Sequence, residues 1–124
     1  MVLRNIYIII FALLFSCTHN AKKSSHITGK YVNAFETGVE HYVILSSDST
    51  YRHYYKSALL KLTNNGRWKF DQFESGEIKI VFLDWASYGA KRDNNCKKCL
   101  FAAELGDEEL IFSYDLPDEM NFRK

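Results

Sequence analysis

Apolar and polar side chains alternate with a period of two along most of this chain, beginning at Gly29. The clearest stretch covers residues 50–56, in which Tyr51, His53 and Tyr55 share one face. Successive side chains of a β-strand point to opposite faces, whereas a helix brings together residues three or four positions apart. The alternation therefore predicts a chain built of β-strands, without a long helix.

Turn signals divide the alternating region into seven or eight short segments. Asn64-Asn65-Gly66 predicts a hairpin turn, because asparagine and glycine tolerate the positive φ of a primed turn. Ser46–Ser49 and Gly106-Asp107 also have turn composition. Ser57–Thr63 stays ambiguous, since its alanine and leucines also suit one helical turn. With a single proline, Pro117, the pattern predicts an all-β fold, a small antiparallel meander closed as a barrel or packed as a sandwich.

Two predicted strands carry both tryptophans and several other large apolar side chains. In the first, covering residues 67–73, alternation places Trp68 and Phe70 on the inward face. In the second, covering residues 78–85, Phe82 falls on one face and Trp85 on the opposite face. These strands are expected to supply much of the core.

The N-terminal segment has a different character. Met1–Asn5 carries one positive charge, Ile6–Phe15 is a run of ten apolar residues, and Ser16-Cys17 ends that run. This is the layout of a secretory signal peptide. The run is too short for a membrane-spanning helix, which needs about 20 apolar residues.

Leu13–Cys17 resembles the lipobox of bacterial lipoproteins, although Phe15 stands where that family usually has a smaller residue. The resemblance implies cleavage before Cys17, a lipid on its thiol, and a protein anchored to a bacterial membrane and facing the periplasm. It divides the chain into a signal peptide (1–16), a lipid-anchored flexible tether (17–28) and a β domain (29–124). The alternative is a plain cleaved signal; a cut after Ala21 would place His19 where such signals have a small residue.

Length and charge limit the function classes that the mature chain can serve. Removal of residues 1–16 from the 124-residue chain leaves 108 residues, enough for one domain. The removed segment contains Arg4, so 15 basic residues balance 15 acidic residues in the remainder. The sequence shows no long basic run of the kind that nucleic-acid binders use, so a nucleic-acid partner is not expected.

Three segments of the predicted domain occur in a familiar order. They are Gly29-Lys30-Tyr31, then Leu45–Tyr51, then Gly66-Arg67-Trp68, and the chain ends in the short tail Asn121–Lys124. In this order the chain resembles the small lipocalin-like barrels of secreted bacterial lipoproteins, with Ser49 at a position where that group commonly has glycine. The resemblance covers residues 29–124 and implies a barrel. Members of the group mostly lack a known activity, so the resemblance bears on fold more than on function.

Cys96-Lys97-Lys98-Cys99 is the sharpest chemical motif of the domain. An oxidising periplasm favours a disulfide between Cys96 and Cys99 that closes a local loop. A redox site, half of a metal site and two free thiols are the alternatives. Thioredoxin-like redox motifs open a helix in a βαβ pattern, and no such pattern accompanies this motif.

A set of aromatic residues on the alternating strands is a candidate ligand cavity at a barrel mouth. Its members are Tyr51, His53, Tyr55, Trp68, Phe70 and Phe82. A filled core is the competing interpretation, because an eight-stranded barrel can be just wide enough for its own side chains. On that interpretation His53 is a hydrogen-bonded structural residue.

The sequence contains no catalytic motif that we recognise, such as Gly-x-Ser-x-Gly or His-Glu-x-x-His. We therefore expect no enzyme and no cofactor. The expected function is that of a non-catalytic, lipid-anchored binding or structural module of the cell envelope. Its partner would be the membrane, through the lipid on Cys17, together with a small apolar ligand or an envelope protein. The alternative is a redox or metal-handling protein that uses Cys96 and Cys99.

Overall fold

The computed structural model describes residues 26–89 and 99–124 and shows a closed antiparallel β-barrel. Its eight strands are β1 (Gly29–Val32), β2 (Glu40–Leu45), β3 (Thr50–Lys56), β4 (Lys61–Gln72), β5 (Ile78–Trp85), β6 (Cys99–Leu105), β7 (Glu109–Ile111) and β8 (Phe122–Arg123), and a short helix, α1, spans Pro117–Met120. The predicted all-β class is confirmed, and of the two predicted architectures the barrel is the one formed.

The strands form a meander in which each strand pairs with the next along the chain, and β8 closes the barrel on β1. We call the end where the chain enters β1 the entry end. Because the strands run alternately up and down, the opposite, far end carries the β1–β2, β3–β4, β5–β6 and β7–β8 connections. Within the described residues, no helix is both long and apolar enough to cross a membrane.

The inward faces of the strands fill the barrel with large side chains. Tyr31, Val43, Leu45, Tyr51 and Phe82 are each exposed by 2% or less of their surface. The core cluster draws residues from Ile27 to Phe122 and from each of the eight strands, so the barrel is packed by its own side chains. Ile27 belongs to this core and its carbonyl accepts a hydrogen bond from the Tyr31 hydroxyl, so packing starts two residues before the β domain predicted at residue 29.

The hairpin predicted at Asn64-Asn65-Gly66 is wrong. These residues lie in the middle of β4, and the chain turns earlier, at Ser57–Leu60, where the Ser57 N–H donates to the Leu60 carbonyl at 2.8 Å. Packing explains the glycine: a Cβ on Gly66 would lie 2.6 Å from the Leu83 carbonyl oxygen. The Asn64 amide donates to the Asp84 carbonyl oxygen at 2.8 Å, so both residues serve contacts with β5 rather than a turn.

Trp85 also departs from simple alternation. The β5–β6 register shifts between Phe82 and Trp85, and Asp84 adopts a φ of 57°. Such a bulge adds a residue to one strand and re-aims the side chains beyond it. Trp85 consequently joins Phe82 in the core, with 4% of its surface exposed, rather than occupying the opposite face.

Two buried asparagines hold the β7–β8 connection: Asn33 bonds it to the β1–β2 side of the barrel, and Asn121 bonds its two ends to each other. The Asn33 amide donates to the backbone oxygens of Glu119 and Asn121, each at 3.0 Å. The Oδ1 atom of Asn121 accepts from the backbone N–H groups of Phe112 and Ser113 at 2.8 and 3.0 Å. These bonds hold α1 against the far end of the barrel.

Candidate functional site

Two histidines meet inside the far half of the barrel. His41 lies on β2 and His53 on β3, and register pairs them with Tyr55 and Val43, respectively. The two histidines are therefore diagonal neighbours on the inward face of adjacent strands. Their Nε2 atoms lie 2.9 Å apart, and the residues are 6% and 1% exposed.

Both imidazoles are neutral at neutral pH. Burial lowers the pKa of His41 to about 4. Burial and, to a smaller extent, the nearby His41 lower the pKa of His53 to about 3. The Ala86 backbone raises this pKa by a smaller amount. In the neutral pair one Nε2–H donates to the other Nε2, so the two rings hold complementary tautomers.

Aromatic rings pack closely on the pair. The Trp85 ring stacks on His53 at a centroid distance of 4.1 Å and an interplanar angle of 10°, and the Tyr88 ring stacks on it at 4.5 Å and 27°. Phe122 and Tyr55 meet His41 edge-on at 4.8 and 5.1 Å. The bulge in β5 creates this arrangement, because it turns Trp85 inward.

One polar atom of the pair has no hydrogen-bond partner among residues 26–89 and 99–124. His53 Nδ1 is buried, and no group meets hydrogen-bond geometry with it, although the Ala86 backbone is near enough to favour the charged ring. The adjoining cavity has a volume of about 40 Å³ and is also lined by Glu119 and Met120. A cavity of this size holds one or two water molecules, and ligand pockets are typically ~300–1,000 Å³.

The structure separates the six residues predicted to line a ligand cavity. Tyr51, Trp68 and Phe82 are packed into the core, whereas Phe70 is 41% exposed near the end of β4. Tyr55 is buried and donates its hydroxyl hydrogen to Glu36 at 2.9 Å. Of the six, His53 is the one that lines the cavity within the described part of the chain.

The far end is closed above the histidines by contacts between loops. Glu36, from the β1–β2 loop, accepts the Tyr55 hydroxyl and lies against Gly89, where an added Cβ would be 2.6 Å from Glu36 Oε1. Tyr88, one residue earlier, stacks on His53. Glu36 of the β1–β2 loop and the two residues Tyr88 and Gly89 that follow β5 thus pack together beside the histidines.

Two of the three cysteines, Cys17 and Cys96, lie outside the described residues, as does most of the tether. Cys99 begins β6 and is disulfide-bonded. No group of three or more His, Cys, Asp or Glu side chains suited to a metal ion occurs within residues 26–89 and 99–124. The Cys96–Cys99 pairing itself stays a prediction.

A groove of about 480 Å³ lies on the outer surface beside α1. Val32 and Phe35 line it and are 42% and 46% exposed, and Asp118 and Arg123 supply charge at its edge. This groove is larger than the interior cavity by an order of magnitude. Space for a partner is therefore on the outside of the barrel.

The contact between His41 and His53 could have been predicted from the sequence by combining alternation with the register of the β2–β3 hairpin. Leu45 and Tyr51 pair across the Ser46–Ser49 turn. Counting outward from that pair places His41 and His53 diagonally on one buried face. The register of a hairpin, once assigned, would have identified the contact.

No protein-family model, no curated protein and no solved structure matches this chain.

Proposed function

We propose that this protein is a non-catalytic lipoprotein of the bacterial cell envelope, with a lipocalin-like barrel that recognises partners at its outer surface. The observation that carries the proposal is the filled interior: the cavity beside His41 and His53 measures about 40 Å³. An apolar ligand of a carrier protein needs several times that volume. Recognition is therefore assigned to the surface rather than to the inside of the barrel.

The proposed location in the cell envelope rests on the sequence of residues 1–17. A charged start, ten apolar residues and a lipobox-like end support export and acylation of Cys17. A single acyl chain binds membranes weakly and two or more hold a protein stably, so a diacylated Cys17 would anchor the chain.

Acylation is tested by metabolic labelling with palmitate. Wild-type protein should incorporate label and fractionate with membranes, and Cys17→Ser should lose both properties. Cys96→Ser is the matched control and should keep its label. Unchanged labelling in Cys17→Ser would overturn the lipoprotein assignment.

Binding of a fluorescent fatty acid such as parinaric acid distinguishes recognition at the outer surface from transport of a ligand inside the barrel. Trp85 lines the interior cavity, so a ligand seated there would quench its fluorescence. We expect no saturable quenching. Stoichiometric binding with quenching of Trp85, absent in Trp85→Phe, would establish a carrier instead.

Thiol titration and metal analysis of protein purified from the periplasm address the redox or metal alternative. A disulfide-bonded Cys99 offers no thiolate to a metal ion, so we expect an unreactive pair without bound metal. Reactive thiols or stoichiometric metal would favour that alternative.

A further inference from the structure

We propose that the β3–β4 hairpin is a membrane-docking element, which inserts its tip among anionic lipid headgroups while the outer face of β1–β4 lies on the same surface. The tip is Ser57–Leu60, and Lys56 and Lys61 flank it. The proposal extends the proposed function, because its choice of partner rests on the acyl anchor.

The first observation is the exposure of the tip. Leu59 is 96% exposed and Leu60 is 42% exposed. The turn is nevertheless well defined, since the Ser57 N–H donates to the Leu60 carbonyl and the Leu59 N–H donates to Ser57 Oγ at 3.4 Å. A fixed turn that holds a leucine in water gains free energy when that leucine enters an apolar phase.

The second observation is an unfavourable charge pair that folding does not require. Lys56 and Lys61 are directly opposite each other in the β3–β4 register, and both are exposed. Like charges placed opposite each other across two strands destabilise the hairpin. An anionic surface that meets both lysines turns this repulsion into attraction.

The third observation is the charge of the adjoining face. Strands β1–β4 carry six exposed Lys and Arg residues, and residues 29–72 contain four acidic residues: Glu36, Glu40, Asp48 and Asp71. Residues 99–124, on β6–β8 and their connections, carry seven acidic residues and two basic ones. A chain with a net charge of +1 is thus strongly polarised, and this polarity would orient the barrel on an anionic surface.

Three of the six basic side chains on this face, Lys30, Arg52 and Lys61, lie over tyrosine rings. Lys30 Nζ lies 4.2 Å from the centre of the Tyr42 ring, and Lys61 Nζ lies 5.8 Å from that of Tyr54. Tyr42 and Tyr54 stack on each other at 4.8 Å across β2 and β3. None of the six cations forms a salt bridge with a carboxylate in the described part of the chain. Their charges are therefore available to phosphate groups, and tyrosine is a residue that membrane interfaces favour.

The anchor permits this contact. The tip is at the far end and the tether joins the entry end, so the tether must run along the barrel. Strand β3 has seven residues and a length of roughly 23 Å. Because His26 and Ile27 are already bound to the barrel, the part of the predicted tether that can extend is Thr18–Ser25, which can reach roughly 28 Å. A lipid on Cys17 and the hairpin tip can therefore meet one bilayer.

An acidic protein is the competing partner, and the exposed leucine decides against it. Segments that bind at a membrane interface combine basic residues with apolar side chains that enter the acyl boundary. Each Lys or Arg near an anionic bilayer, and each buried leucine, contributes separately to such binding. The β3–β4 hairpin supplies both kinds of residue within six positions.

The test is co-sedimentation of unacylated protein, residues 18–124, with phosphatidylcholine vesicles that contain or lack phosphatidylglycerol. This chain keeps the whole core cluster from Ile27 to Phe122, and circular dichroism with a melting curve checks its fold. We expect binding to anionic vesicles alone, with loss of binding between about 0.05 M and about 0.5 M salt.

The variants separate insertion from charge. Leu59→Ser should weaken the partition coefficient at least about tenfold, and Lys56→Gln with Lys61→Gln should weaken it roughly 30-fold. The matched controls are Leu100→Ser, which alters a leucine that is 68% exposed on β6, and Lys79→Gln with Arg123→Gln. Both controls should retain most of the binding.

Three results would overturn the proposal. They are absence of binding to anionic vesicles, equal losses in Leu59→Ser and Leu100→Ser, and a salt-sensitive complex with polyglutamate in place of vesicle binding. Because the protein used is unacylated, none of them depends on Cys17. Palmitate labelling reports on the anchor separately, so the two proposals can fail independently.

Discussion

The imidazoles of His41 and His53 meet diagonally between the adjacent strands β2 and β3, with 2.9 Å between their Nε2 atoms, and both are neutral. Two histidines so close cannot both carry a charge without strong repulsion, and burial makes even one charge costly. The folded barrel therefore resists protonation at both sites. The unfolded chain does not, because its histidines keep a pKa near 6.5.

This difference predicts a loss of stability in mild acid. As the pH falls below about 6.5, the histidines of the unfolded chain bind protons. In the folded chain they stay neutral until the pH reaches their lowered pKa values, about 4 for His41 and about 3 for His53, so the unfolded state is favoured in between. Between pH 7 and pH 5 each histidine should lower the free energy of unfolding by about 2 kcal/mol. Urea unfolding at the two pH values measures the effect, and His41→Gln should reduce it. Equal stability at both pH values would contradict the assignment.

Ser49 is predicted to be a site where glycine stabilises the fold. Its φ of 66° lies in the left-handed region, which costs a non-glycine residue about 1–2 kcal/mol. Ser49→Gly removes that cost. Glycine also increases the conformational entropy of the unfolded chain, which offsets part of the stabilisation. We expect a net gain of about 0.5–1 kcal/mol, visible as a higher Tm. A lower Tm would show that the serine side chain makes a contact that matters more than the backbone does.

Gly66→Ala is predicted to destabilise the barrel strongly. The new methyl group would lie 2.6 Å from the Leu83 carbonyl oxygen and 2.7 Å from the Tyr51 side chain. Overpacking of this kind costs about 1–3 kcal/mol or more. Asn65→Ala, which alters an exposed neighbour on the same strand, is the control and should change the unfolding midpoint little. Comparable losses in both variants would assign the effect to strand propensity instead.

Asn33→Ala is predicted to loosen the connection between β7 and β8. The substitution removes the amide that donates to the backbone oxygens of Glu119 and Asn121. Buried carbonyls left without a donor cost about 1–3 kcal/mol. Hydrogen exchange should quicken at the Phe112 and Ser113 amides, which bond to Asn121. Thr37→Ala in the same loop is exposed and should leave that exchange unchanged.

Periodicity predicted the strands well where one face of a strand is buried. The segments 50–56 and 78–85 coincide with β3 and β5, because alternation reports burial directly. It did less well where tertiary contacts use turn-forming residues for another purpose. Asn64 and Gly66 have the composition of a turn, but β4 needs a small residue and an amide against β5 at those positions.

The site was harder to predict than the fold. The histidine pair depends on strand register, and the position of Trp85 depends on a bulge at Asp84 that the alternating pattern does not encode. Burial of Tyr51, His53 and Phe82 followed from alternation. Whether the space between such residues is filled depends on the width of the closed barrel, which a linear pattern does not specify.

The meander order has a consequence for how the chain becomes folded. Each of β2 to β7 joins a neighbour that has already been synthesised, whereas β8 joins β7 and β1 with two residues, Phe122 and Arg123. A chain that emerges from its N-terminus therefore remains an open sheet, with two unpaired edges, until β8 is added. Open edges invite pairing with other chains. Strand β8 thus protects both edges of the sheet from aggregation, and the interval before it is added is the most vulnerable period of folding.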